Sequence, residues 1–215
     1  MMFRSVQRNA IILGLFAIAT AAALALTNAA TLDRVRCNKQ IAFTNTLEQV
    51  LPADHYDNSL LTDFITVEDP LLGRKTHHIY RGRLQGKPAG LIFEATAPDG
   101  YGGALSLLVG INVEGSLTGV RVIPPHNETP GLGDKAELKK SDWILGFDGK
   151  SLNNPEPPGW AVKKDGGVFD SFTGATITPR AVVGQTLRTL QYFEQHSDTL
   201  FSVPAEPAST ETCDE

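Results

Sequence analysis

The sequence predicts an α+β protein: an N-terminal membrane-spanning helix followed by one domain in which an antiparallel-rich, twisted sheet carries flanking helices. Three observations predict it. Residues 10–30 are uncharged and almost wholly apolar, a run that matches the roughly 20 residues a helix needs to cross a bilayer. From Thr76 to Ile123 the apolar positions repeat with the period of strands, interrupted by short glycine-containing turns. From Pro179 to about Gln195 the period becomes helical, with Val183, Leu187, Leu190 and Phe193 along one face.

In chain order, the expected organisation is a cytoplasmic tail (1–9), the transmembrane helix (10–30), a helical stalk and connection (31–75), the folded domain (76–200) and a disordered tail (201–215). With 215 residues, 41% of them hydrophobic and 20% charged, the chain is long enough for a membrane span and one ordinary domain. A net charge of -5 argues against a nucleic-acid surface. A cleaved signal peptide is the rival for residues 10–30, since the small residues near Ala29 and Ala30 suit a peptidase. The apolar run is longer than such peptides use, which favours a retained anchor. Arg4 and Arg8 precede the span and Arg34, Arg36 and Lys39 follow it, so charge alone does not orient it. The usual outcome for a short N-terminal tail places the bulk of the chain outside the cytoplasm. The span holds no ionisable residue, which makes an ion path through this chain improbable. Cys37 and Cys213 are the only cysteines: too few for an iron–sulfur cluster, with no haem-attachment motif, and with nothing to fix the geometry of a disulfide between them.

Beyond the span, Ile41, Leu47, Val50 and Leu51 continue at helical spacing to Pro52 and predict a stalk packed on the domain. Strands are expected at 77–84, 89–97, 104–113 and 117–123, a four-stranded antiparallel meander. His77 and His78 point to opposite faces of one strand, so a shared metal site is improbable and solvated or edge positions are expected. No metal ligands and no catalytic acid, base or nucleophile stand out.

Two loops are unusual. Asp99-Gly100-Tyr101-Gly102-Gly103 is glycine-rich but lies between strands, so it is neither a dinucleotide fingerprint nor a P-loop; a flexible turn is the plain reading. The stretch from Pro124 to Asp134 combines prolines, a Pro-Gly turn, His126 and Glu128. It reads either as a connection or as a rigid loop offering polar groups to a ligand. A short amphipathic helix is then expected at 135–145, a proline-rich connection at 153–159, a last strand at 160–164 and a turn at 165–167.

The run from Asp170 to Arg180 is the most informative. Thr178 suits a helix N-cap and Pro179 the first helical position, which puts Thr176 just ahead of a helix N-terminus, where free amides and the helix dipole stabilise a phosphate. Gly174 and Ala175 leave room for a bulky group beside the backbone. A capped helix start explains Thr178 and Pro179 but not Asp170 or Thr173-Gly174-Ala175-Thr176. Those residues resemble the flavinylation signature Asp-x-x-Ser/Thr-Gly-Ala-Thr, in which a separate flavin transferase esterifies FMN through its phosphate to the last threonine.

With Asp99–Gly103, His126–Lys135, Ser141-Asp142-Trp143, Trp160–Gly167 and Phe172–Val183 in this order, the chain is similar to the FMN-binding domain family. Within that family it resembles the G subunits of Rnf-type ion-translocating electron-transport complexes. The resemblance implies a single-pass flavoprotein of the bacterial inner membrane with its domain facing the periplasm. It would carry electrons on covalent FMN at Thr176, beside the other subunits of a complex that moves sodium ions or protons. Implied flavin contacts are Asp170, Thr173, Gly174, Ala175 and Thr178 around the acceptor, with His126, Glu128, Thr129, Gly131, Leu132 and Gly133 from the second loop. Lys163 and Lys164 are further candidates for stabilising charge on the flavin. The alternatives are a C subunit of a sodium-pumping NADH:quinone reductase, a non-redox membrane-tethered binding module, and an oxidoreductase with dissociable FMN.

Overall fold

The computed structural model describes residues 2–207. It separates into two units: residues up to Thr44, which are helical, and a folded unit that begins at Asn45. Helix α1 spans Met2–Val50, and its apolar part is long and apolar enough to cross a membrane. Cys213 and the expected tail beyond residue 207 lie outside the described residues.

Five strands build the folded unit: β1 (Phe64–Glu68), β2 (Thr76–Leu84), β3 (Lys87–Ala97), β4 (Leu105–Asn112) and β5 (Leu117–Ile123). They form an antiparallel meander in sequence order. The four expected strands are present, and β1 is an addition at the edge. The β2–β3 turn uses Gln85 at φ 52 and Gly86 at φ 74, the pair of left-handed residues that a two-residue hairpin requires.

The two faces of the sheet have different partners. One packs under helix α2 (Ile177–Leu200), where Phe93 meets Tyr192 and Phe193 edge-on at 6.1 and 6.3 Å. The other receives the last residues of α1 in a trough of glycines. Gly82 pairs with Gly90 and Gly110 with Gly119 across the strands. A Cβ at Gly82 would lie 2.7 Å from Leu51, and one at Gly110 would lie 2.6 Å from the Val50 carbonyl and 2.3 Å from Thr118 Oγ1. Within that trough the terminal carbonyls of α1 find donors: Thr118 Oγ1 donates to Val50 O at 2.7 Å and Arg121 Nη2 to Gln49 O at 3.1 Å.

After β5 the chain forms turns and short 3-10 segments up to α2, and two expectations fail here. Instead of a helix over 135–145 there are 3-10 turns at Gly133–Ala136 and Asp142–Phe147, because Ser141 Oγ accepts from Trp143 N at 3.1 Å and starts a new turn. Residues 160–164 make one bridge, Val162 to Phe169, before Gly166 turns left-handed at φ 89. Aromatic packing holds this region in place of a regular ladder: Phe147 stacks on Phe169 at 4.6 Å, and Trp143 meets Phe172 at 5.0 Å and Phe147 at 5.4 Å.

Two more expectations are corrected. His77 is not solvated: it is buried, and its Nε2 lies 2.9 Å from Thr96 Oγ1, while His78 on the opposite face pairs with Glu94 at 2.9 Å. The start of the expected disordered tail is ordered. Arg81, itself paired with Asp63, donates to the carbonyls of Leu200 and Val203, and Glu206 N donates to Phe64 O on β1 at 3.0 Å.

Gly110→Ala is expected to lower stability by roughly 1–3 kcal/mol, the usual cost of overpacking, in a chemical denaturation series. Gly146→Ala, at a site with nothing within 4 Å, should change it little. Burial, the largest influence, holds the His77 imidazole below its ordinary value of 6.5, so acidification through that region protonates the unfolded chain first and stability falls. His77→Gln should make that decline shallower when denaturation midpoints are followed against pH.

Candidate functional site

Three segments converge at the N-terminus of α2. Phe172-Thr173-Gly174-Ala175 is a turn closed by Ala175 N donating to Phe172 O at 3.0 Å, with Gly174 at φ 81, a conformation glycine adopts without strain. The aromatic cluster anchors this turn through Phe172, and Trp143 Nε1 donates to the Asp170 carbonyl at 2.8 Å. Thr176 follows as the helix N-cap at φ -94, ψ -24, and its half-buried side chain makes no capping hydrogen bond. The first intrahelical bond runs from Arg180 N to Thr176 O at 3.2 Å. The preceding amides of this turn have no acceptor within the helix.

Thr178 is therefore not the cap. Its side chain is fully buried and its hydroxyl donates to Glu128 Oε2, while Gly102 N donates to Glu128 Oε1 at 3.0 Å. A buried carboxylate needs such donors, and that need overrides the capping preference. The glycines around it leave no spare space. A Cβ at Gly133 would stand 2.3 Å from Glu128 Oε2 and 2.8 Å from Thr178 Oγ1, and one at Gly102 would strike the Asn127 carbonyl at 2.0 Å. The 99–103 loop is thus no free turn, because its backbone is fastened to Glu128.

Between these segments lies an open cleft of about 220 Å³, lined by Tyr101, Glu128, Thr129, Leu132, Gly133 and residues 174–178. Of the residues singled out in the sequence, Glu128, Thr129, Leu132, Gly133, Gly174, Ala175, Thr176 and Thr178 meet there. The others sit elsewhere. His126 turns aside to Glu137, 2.8 Å from Nε2, and Gly131 is at an exposed bend. Thr173 is exposed in the turn. Lys163 pairs with Asp170 at 2.7 Å on the surface, and Lys164 is exposed beside it. Arg180 grips Asp165 through Nε and Nη2 at 2.5 and 2.6 Å; this pairing holds the Asp165 carboxyl below its ordinary range and raises the Arg180 guanidinium. Sequence reasoning missed Tyr101 and Ile177 as lining residues. An exposed aromatic between glycines was the available signal for the first.

Gly133→Ala should push the Glu128 carboxylate off its donors and lower the denaturation midpoint, by roughly 1–3 kcal/mol of stability. A midpoint equal to the parent's would mean that the enclosure is looser than these distances imply.

Residues 100–191 match the family model described as FMN-binding domain, and residues 1–50 match the one described as RnfG N-terminal region. The G subunit of the ion-translocating oxidoreductase complex of Shewanella loihica is 46% identical over 206 residues, covering 95% of this chain and 97% of that protein. Its counterpart in Pseudomonas aeruginosa is 47% identical over 210 residues and 97% of each chain. Among solved structures, NqrC of Shewanella oneidensis matches with a TM-score of 0.47 and 18% identity, over 72% of this chain and 73% of that one.

Proposed function

Because this chain belongs to the family of G subunits of ion-translocating oxidoreductase complexes, we propose that it is the membrane-anchored electron carrier of such a complex, holding FMN through a phosphoester to Thr176. The observation that carries this reading is the state of Thr176. Its side chain is not engaged in capping, it lies on the wall of the cleft, and it opens the helix whose first amides have no internal acceptor.

The cleft suits the group. Gly174 and Gly133 remove side chains from its wall, while Leu132 and Tyr101 supply apolar surface for a flat ring. Its 220 Å³ falls short of the roughly 300–1,000 Å³ of sites that engulf a ligand, so an edge of the ring would stay accessible to partner subunits. Bound there, FMN would supply electron transfer in single or paired steps. The protein's part is to anchor the phosphate at Thr176, fix the walls through Glu128 and Thr178, and keep the site at the surface. Turnover of a small substrate by this chain alone is not expected.

Attachment forms a bond from the Thr176 oxygen to the FMN phosphorus of an activated flavin nucleotide, breaks that phosphorus's bond to its nucleotide leaving group, and passes the hydroxyl proton to the departing phosphate. Among the described residues no side-chain hydrogen bond to the Thr176 hydroxyl activates it, which fits modification by a separate flavin transferase. The remaining expectations join this reading: α1 as a single inner-membrane span, the folded unit on the periplasmic side, other subunits of the complex as partners, and sodium ions or protons moved by the assembly. The span contains no ionisable residue between Ala10 and Ala30, so ion movement belongs to other subunits. Relatives named as G subunits over nearly the whole chain favour this role over the C subunit of a sodium-pumping quinone reductase.

Protein purified from membranes of cells that make the transferase should stay yellow after denaturation and removal of small molecules. Thr176→Ala should be colourless under the same treatment and retain its folding midpoint. A yellow Thr176→Ala protein would place the flavin elsewhere.

A further inference from the structure

We propose that the Glu128 carboxylate lowers the reduction potential of the flavin in this cleft, with the Thr178 hydroxyl moderating its effect. The inference rests on the reading that FMN occupies the cleft. Glu128 is 6% exposed and lines the same cleft as Thr176. Both of its oxygens accept hydrogen bonds, Oε1 from Gly102 N and Oε2 from the Thr178 hydroxyl, the pattern of an ionised carboxylate. Among the described residues no lysine, arginine or histidine forms an ion pair with it. Its hydrogen-bond donors are two neutral dipoles, at a place where water screens poorly.

A fixed anion beside an electron acceptor opposes reduction, because each added electron increases negative charge near a negative charge that cannot move away. Glu128 cannot move away: Gly133 closes over Oε2, and Gly102 and Thr178 hold both oxygens. The Thr178 hydroxyl directs its only proton at the carboxylate and draws part of the charge back. The two residues therefore act on the ring with opposite sign, although both serve the same hydrogen bond.

That opposition separates an electrostatic role from a packing role. Glu128→Gln keeps the shape and an acceptor for Gly102 but removes the charge, and should move the midpoint to more positive potential. Thr178→Val keeps the volume but removes the donor, and should move it to more negative potential. Full-length proteins are titrated spectroscopically at one fixed, mildly alkaline pH, and peptide mass spectrometry reports flavin on Thr176 in each sample. A flavin-loaded Glu128→Gln protein with an unmoved midpoint, or two variants shifting in the same direction, overturns the inference and leaves the flavin assignment standing. Should Glu128→Gln fail to fold, the sign of the Thr178→Val shift decides alone. A bare Thr176 in the parent protein overturns the assignment, and the inference with it.

Discussion

The site depends on one buried carboxylate. Glu128 joins a backbone amide from the β3–β4 loop to a hydroxyl from the second residue of α2, and it comes from the long loop between β5 and α2 itself. Three segments far apart in sequence thereby share one anchor. Left without donors, the same carboxylate would cost several kcal/mol, so its partners are fixed as firmly as it is. The glycines at 102 and 133 follow from this, because any side chain there would occupy space that the anchor or its loop already fills. The walls of the cleft beside Thr176 are the consequence of that arrangement.

The sheet behind the site links it to the rest of the fold by a comparable division of labour. One face carries α2 on an aromatic and aliphatic core, and α2 in turn presents Thr176 at its first turn. The other face is bared by four glycines, so the final carbonyls of α1 come within reach of Thr118 and Arg121 on β5. These bonds fasten residues 49 and 50 to the sheet within the folded unit.

Much of the fold was legible in the sequence, and the exceptions have physical causes. Strands β2–β5 are apolar runs buried at their centres on both faces, and β2–β4 are each followed by a glycine-containing turn, so punctuation marks their limits. Strand β1, at five residues, is too short to declare a period, and its place is set by pairing with β2 and by Glu206 from the far end of the chain. The helix expected at 135–145 and the strand expected at 160–164 are absent because Trp143, Phe147, Trp160, Phe169 and Phe172 hold this region by contact between rings, an order with no sequence period. Thr178 carried a clear local capping signal, and a carboxylate 50 residues away in sequence overrode it. The glycine trough was readable in principle, since glycine inside a strand marks close approach of another backbone.

The site was legible to a different degree. The turn at Gly174 and the helix start could be read locally, and with them the place of Thr176 ahead of the helix, whereas the cleft itself is a product of tertiary packing. Peptide mass spectrometry of the native protein, isolated from cells with a working flavin transferase, bears on Thr176 without any variant. The expected result is a Thr176-containing peptide heavier by FMN less water; the same peptide found unmodified would contradict the assignment of this chain as a covalent flavin carrier.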